Sequence, residues 1–182
     1  MGWKNVKDHY QIKHIVQVTS AGICIGSAYM HDIIIVGLDG EIKKRYGAGG
    51  FRGNNDLERY QAALDADPDT LRYLIEKPDS FAASLPVFTY DGALIIEEAC
   101  EAYGWPNVTH AGHIQYANRF SPDRDQVIDW AKANARSGIG WLNERVADAE
   151  AKLSEARMAL AEQMTNLDNL LEAYPEASDE PA

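Results

Sequence analysis

Residues 139–174 read IGWLNERVADAEAKLSEARMALAEQMTNLDNLLEAY. Alternate steps of three and four through this stretch land on Ile139, Leu142, Val146, Ala149, Leu153, Ala156, Leu160, Gln163, Leu167, Leu170 and Tyr174, and only Gln163 is polar. An apolar repeat of this spacing belongs to a helix that wraps against another helix. At about 1.5 Å per residue the helix is roughly 54 Å long, more than a domain of this size covers from its own body. The seam therefore predicts self-association, with Ile139, Leu142, Val146, Leu153, Leu160, Leu167 and Leu170 as its oligomerisation residues. Ala149 and Ala156 allow close approach, and Gln163 is placed to set register.

Just upstream, Ser121-Pro122-Asp123 carries the marks of a helix start, a hydroxyl cap followed by a proline and an acid in the first turn. Val127, Ile128, Ala131 and Ala135 form a stripe along this helix. Ser137-Gly138-Ile139-Gly140 then interrupts it, which predicts a helical hairpin over 122–174 with unequal arms. The short arm is too brief to cover the seam beyond Ser154. A second copy is the natural cover, and the open face of the N-terminal sheet is the alternative. Residues 175–182, rich in Glu, Asp and Pro, read as a disordered acidic tail.

Residues 1–121 read as one α+β globular domain. Ile12–Val18, Ile23–Met30, Ile33–Leu38 and Glu41–Tyr46 are β-rich runs separated by turn residues, the signature of an antiparallel β meander. Asp39-Gly40 is the clearest hairpin signal among them. A glycine-rich loop over 47–53 leads to two short helices, one capped at Asn54 or Asn55, the other opened by Asp67-Pro68. A second, small β section follows. Val87–Tyr90 turns through Asp91-Gly92 into Ala93–Cys100, and Val108–His110 turns through Ala111-Gly112 into His113–Tyr116.

The 182 residues carry a net charge of −11, distributed unevenly. Residues 1–46 hold +2, residues 47–121 hold −6 and residues 122–182 hold −7. Duplex nucleic acid is an unlikely partner for such a surface, because phosphate-driven binding needs clustered Lys and Arg. No apolar run approaches the roughly 20 residues of a membrane span, and the start lacks a secretion signal. A cytoplasmic protein is expected, in which Cys24 and Cys100 are buried free thiols.

The motif search yields no catalytic residues, cofactor or metal site. Gly47-Ala48-Gly49-Gly50-Phe51-Arg52 lacks the last glycine of the dinucleotide fingerprint, and no Walker motif or nucleophile elbow occurs. His110 and His113 flank a turn beside Glu97, Glu98 and Cys100, but without a second paired ligand motif they read as solvated turn histidines. What remains is a polar and aromatic concentration: Trp105, Asn107, His113, Tyr116, Asn118, Arg119, Arg124 and Arg136. Rings stack on nucleobases, amides read base edges and guanidinium groups hold phosphate, so this set is the candidate ligand site.

Gly104-Trp105-Pro106-Asn107-Val108-Thr109 and His113-Ile114-Gln115-Tyr116-Ala117-Asn118-Arg119-Phe120, with the helix after them, resemble small accessory proteins of phages and prophages. The layout over residues 85–150 is similar to the Thoeris anti-defence sponges, which sequester cyclic ADP-ribose signals. That resemblance implies stacking by Trp105 or Tyr116, base contact by Asn118 and phosphate contact by Arg119, Arg124 or Arg136. The expected function is a phage-encoded, non-enzymatic binding protein that interferes with host defence in the host cytoplasm. The alternatives are an acidic inhibitor directed at a host defence protein, and a small metal-dependent enzyme.

Overall fold

A computed structural model describes residues 2–27, 29–47 and 53–174. Its contacts divide the chain into two units, Met1–Ala131 and Lys132–Ala182. The class is α+β, with antiparallel sheets of four and two strands and a long C-terminal helix. None of the described helices is long and apolar enough to cross a membrane.

In the first unit, β1 (Ile15–Thr19), β2 (Gly22–Gly26), β3 (Ile34–Val36) and β4 (Ile42–Lys44) form the meander in sequence order. The strands are shorter than the β-branched runs, because pairing stops where both neighbours cannot supply backbone partners. Every residue of β2 is buried, as befits a central strand. Val16 faces Ile25, Ile23 faces Val36 and Ile25 faces Ile34, so the apolar positions meet on the core side. Asp39-Gly40 does turn the chain, with Gly40 at φ +81° and the Asp39 carboxylate accepting from the Glu41 amide at 3.0 Å.

Three helices contribute to the core of this sheet. α1 (Trp3–His9), which the sequence reading did not anticipate, buries Trp3 and Val6; seven residues with two core contacts give too short a period to recognise. The amide of Gly2 is tied to the Ile75 carbonyl, and the Trp3 indole N–H donates to the His110 carbonyl at 2.9 Å. α2 (Asn55–Ala66) starts at Asn54, whose side chain accepts from the amides of Asp56 and Leu57. It buries Leu57, Tyr60 and Leu64. α3 (Pro68–Glu76) starts at Asp67, whose carboxylate accepts from Thr70. It adds Leu71, Leu74 and Ile75 to the same core.

β5 (Leu85–Asp91) and β6 (Leu94–Cys100) form the second hairpin, turning at Gly92. The expected further strand pair, Val108–His110 with His113–Tyr116, is reduced to single bridges at Val108–Ile114 and Cys100–Thr109. This segment instead joins the sheets. Val18 of β1 donates its amide to the Gly112 carbonyl at 2.9 Å, and His110 donates to the Ala99 carbonyl at 2.7 Å. Gly112 lies at φ +91°, and a Cβ there would strike the Val18 side chain.

The helical hairpin is absent. α4 runs unbroken from Arg124 to Ala173, straight through Ser137-Gly138-Ile139-Gly140. Each interior glycine costs a helix about 1 kcal/mol relative to alanine, a penalty rather than a stop. A glycine commonly stops a helix by entering the left-handed region, and neither Gly138 nor Gly140 is among the glycines with positive φ. Asp123, rather than Ser121, caps α4, accepting from the amides of Asp125 and Gln126; Ser121 accepts from the Asp123 amide. The unit boundary accordingly falls inside α4 rather than at 121. Most of the 47–53 loop and the whole 175–182 tail lie outside the described residues.

The double change Gly138→Ala, Gly140→Ala discriminates between a continuous helix and a turn. No atom lies within 4 Å of a Cβ at either position. With α4 continuous, the variant gains helical ellipticity and stability, by about 1 kcal/mol per site at most. Loss of helicity in circular dichroism would contradict the unbroken helix.

Candidate functional site

A cleft of about 290 Å³ lies between the β5–β6 hairpin, β1 and the segment that follows Gly112. Tyr90, Glu98, His113, Tyr116, Arg119 and Phe120 contribute the chemistry of its walls. Of the eight ligand residues expected from sequence, the cleft brings together His113, Tyr116 and Arg119. Their placement follows from the Gly112 joint, which sets the chain direction just before them.

His113 is held by Glu98, with Nδ1 2.8 Å from Oε1. The Glu98 side chain is only 12% exposed, and its Oε2 has no protein partner. A nearly buried carboxylate fixes the imidazole by one nitrogen and leaves Nε2 for another group. Arg119 is exposed and makes no ion pair among the described residues, so its guanidinium is available to an anion. Asp91 also lines the cleft. Through Asp91 the site therefore presents an exposed carboxylate acceptor alongside a cation for phosphate.

Tyr116 is fixed from two directions. Its hydroxyl lies 2.9 Å from His31 Nε2, and its ring stacks on Trp105 with centroids 5.1 Å apart at 26°. The Tyr116 face is thus taken up by Trp105. Trp105, 40% exposed, is the ring with surface left to offer. His31 Nδ1 is buried without a partner. Nothing in the sequence pattern linked His31 to a residue 85 positions away.

The other expected ligand residues sit elsewhere. Asn107 uses its side-chain amide to donate to the Tyr103 carbonyl at 2.9 Å, a loop tie. Asn118 is exposed in the turn after Tyr116, Arg124 opens α4, and Arg136 lies in the second unit. None of the four lines the cleft. Tyr90, Asp91 and Phe120, which sequence reasoning passed over, do. The alternation of β5 could have flagged Tyr90, but Phe120 enters only through the bridge between Phe88 and Ser121.

The histidine and carboxylate cluster does not converge. His110, expected to be solvated, stacks on Phe81 at 3.6 Å and 8°, and its Nε2 lies 3.0 Å from the Ala83 carbonyl. Cys100 is buried beside the Leu85 carbonyl, and burial pushes its thiol up, away from a nucleophilic thiolate. Cys24 is a free buried thiol as well. No group of three metal-ligating side chains forms among the described residues.

A larger hollow, about 380 Å³, lies beside β4 and α2. Its two cations are already engaged, Lys44 with Asp32 at 2.8 Å and Arg45 with both oxygens of Asp65. The smaller cleft is the better candidate because the Arg119 guanidinium makes no ion pair among the described residues. No family model matches the sequence, and no curated protein and no solved structure matches it at a significant level.

The His113–Glu98 pair makes a stability prediction. His113→Ala strips Glu98 of its hydrogen-bond partner and lowers unfolding free energy by about 1–3 kcal/mol in urea titration. Adding Glu98→Gln recovers part of that loss, since a neutral amide is less costly to bury unpaired.

Proposed function

We propose that this chain is a non-enzymatic binding protein that works as a homo-oligomer joined through α4 and holds a small nucleotide in the cleft beside β5 and β6. The exposed seam carries the reading. Ile139, Leu142, Val146, Leu153, Leu160, Leu167 and Leu170 are each 51–61% exposed, all on one stripe of a single helix. Covering such a stripe stabilises by about 1.5–3 kcal/mol for each large side chain fully buried. A contiguous apolar surface of this extent marks an interaction site.

The cleft supports the ligand class. Its volume of about 290 Å³ falls just below the roughly 300–1,000 Å³ typical of ligand pockets, which limits it to a ligand no larger than a mononucleotide. Arg119 would hold a phosphate, Asp91 would accept from ribose hydroxyls or a base amino group, and His113 Nε2, its ring oriented by Glu98, would add one directed hydrogen bond. This set of groups favours sequestration of a small nucleotide signal as the means of interfering with host defence, although the two antiparallel helices of the phage sponge layout are replaced here by the single helix α4.

One observation favours a second reading, a protein-directed inhibitor. Asp148, Glu155 and Glu162 recur every seven residues on α4, an acidic row outside the positions that flank the seam. Reversing Glu155 and Glu162 to lysine abolishes interference under that reading and leaves it intact under the first.

Native mass spectrometry at micromolar concentration tests the proposal. The expected spectrum shows two or more protomers and, after incubation with cyclic ADP-ribose, a mass gain that Arg119→Ala removes without changing copy number. A lone protomer contradicts the assembly, and no gain with cyclic ADP-ribose or simple mononucleotides contradicts the ligand.

A further inference from the structure

Resting on the assembly reading, we infer that α4 pairs with the α4 of a second copy in the antiparallel sense, in one register centred between Ser154 and Glu155. The seam's layers, its flanking charges and the exposed length of α4 each select that arrangement.

Layer sizes come first. Counting residues along two antiparallel copies about this centre sets Ile139 of one against Leu170 of the other, Leu142 against Leu167, Ala149 against Leu160, and Leu153 against Ala156. Each alanine meets a leucine. In a parallel pair Ala149 would face Ala149 and Ala156 would face Ala156, leaving the layers on both sides of Leu153 underfilled. Gln163 falls opposite Val146, within reach of the rim residues Asn143 and Arg145.

Charge decides the direction and the register. The positions flanking the seam hold Asn143, Glu150, Arg157, Met164 and Leu171 on one side, and Arg145, Lys152, Ala159, Asn166 and Ala173 on the other. Antiparallel helices bring each side against the same side of the partner, so Glu150 of one copy meets Arg157 of the other, twice by symmetry. Lys152 meets Ala159 and Arg145 meets Asn166, and no like charges oppose. Parallel pairing would gain Arg145 with Glu150 but set Lys152 against Arg157. Sliding the antiparallel pair one heptad either way sets Arg157 against Arg157, or Glu150 against Glu150 and Lys152 against Lys152. Glu150 and Arg157 have no ion-pair partner on their own helix.

Length agrees with both. Every residue from Lys132 to Tyr174 is exposed, whereas Val127 is fully buried. In the chosen register Tyr174 of one copy reaches Ala135 of the other, inside the exposed stretch. Sliding one heptad towards the N-terminus would carry it to Ile128, beside buried Val127. The overlap, residues 135–174, spans roughly 60 Å.

A spin label at Glu172→Cys in the full chain reads the direction, since Cys24 and Cys100 are buried and a new surface thiol is labelled selectively. In the antiparallel register residue 172 lies opposite residue 137, so the two labels stand roughly 50 Å apart along the pair. A distance of roughly 20 Å or less means parallel helices and overturns the inference while leaving the assembly intact. No intermolecular distance at tens of micromolar overturns both. Arg157→Glu gives an independent sign: it weakens association roughly tenfold in the antiparallel pair, where Glu150 faces it, and tightens association in a parallel pair, where Lys152 does. Glu150→Arg combined with Arg157→Glu restores the original affinity, and failure to restore it would sink the chosen register.

Discussion

The hydrogen bond from the Val18 amide to the Gly112 carbonyl is the joint on which the first unit depends. β1 is an edge of the meander, and an edge left open presents unpaired amides and carbonyls. Gly112 closes part of it, and does so from a backbone conformation that a side chain would obstruct. Because His113 and Tyr116 follow directly, the same bond that seals the sheet also builds one wall of the cleft. Trp3 reinforces the arrangement from the far side by binding the His110 carbonyl, two residues earlier in the same segment. Core, sheet edge and candidate site thus share one short run of chain.

α4 obeys a different constraint. Within its second unit it has no sheet to pack on, and its helical hydrogen bonds satisfy the backbone without burying the leucines. An isolated helix in water is held only by propensity and local pairs, of which Arg145 over the Trp141 ring at 4.7 Å is one. In the proposed assembly, burial of the seam against a second copy would supply what those local terms lack. Its direction would follow from the residues that flank the seam, since Leu and Ala alone would tolerate several alignments.

Where the sequence carried period and punctuation, it was readable. The meander order, the Asp39-Gly40 and Asp91-Gly92 turns, the caps at Asn54 and Asp67 and the seam all rest on local chemistry that acts over a few residues. α1 escaped because its role is set by distant contacts, Gly2 with Ile75 and Trp3 with His110, rather than by a pattern within it. The turn expected at Ser137–Gly140 failed because glycine permits a break without requiring one, and no proline or left-handed residue enforces it. In the cleft, aromatic and charged types pointed to the segment that holds His113, Tyr116 and Arg119, but Tyr90, Asp91 and Glu98 arrive from the β5–β6 hairpin. Asn107 shows the converse: a residue type suited to ligand contact is consumed in holding its own loop.

The ion pairs on β4 bear on how the protein behaves when crowded. Lys44 and Arg45 sit at the outer margin of the meander, each anchored to a carboxylate, while Gly112 occupies part of the opposite margin. A strand approaching the β4 margin meets fixed ions in place of a bare backbone, so sheet-to-sheet growth has no template there. Under the proposed pairing, stoichiometry would be left to a two-fold helical contact that consumes its own surface on closing, which favours finite particles over filaments.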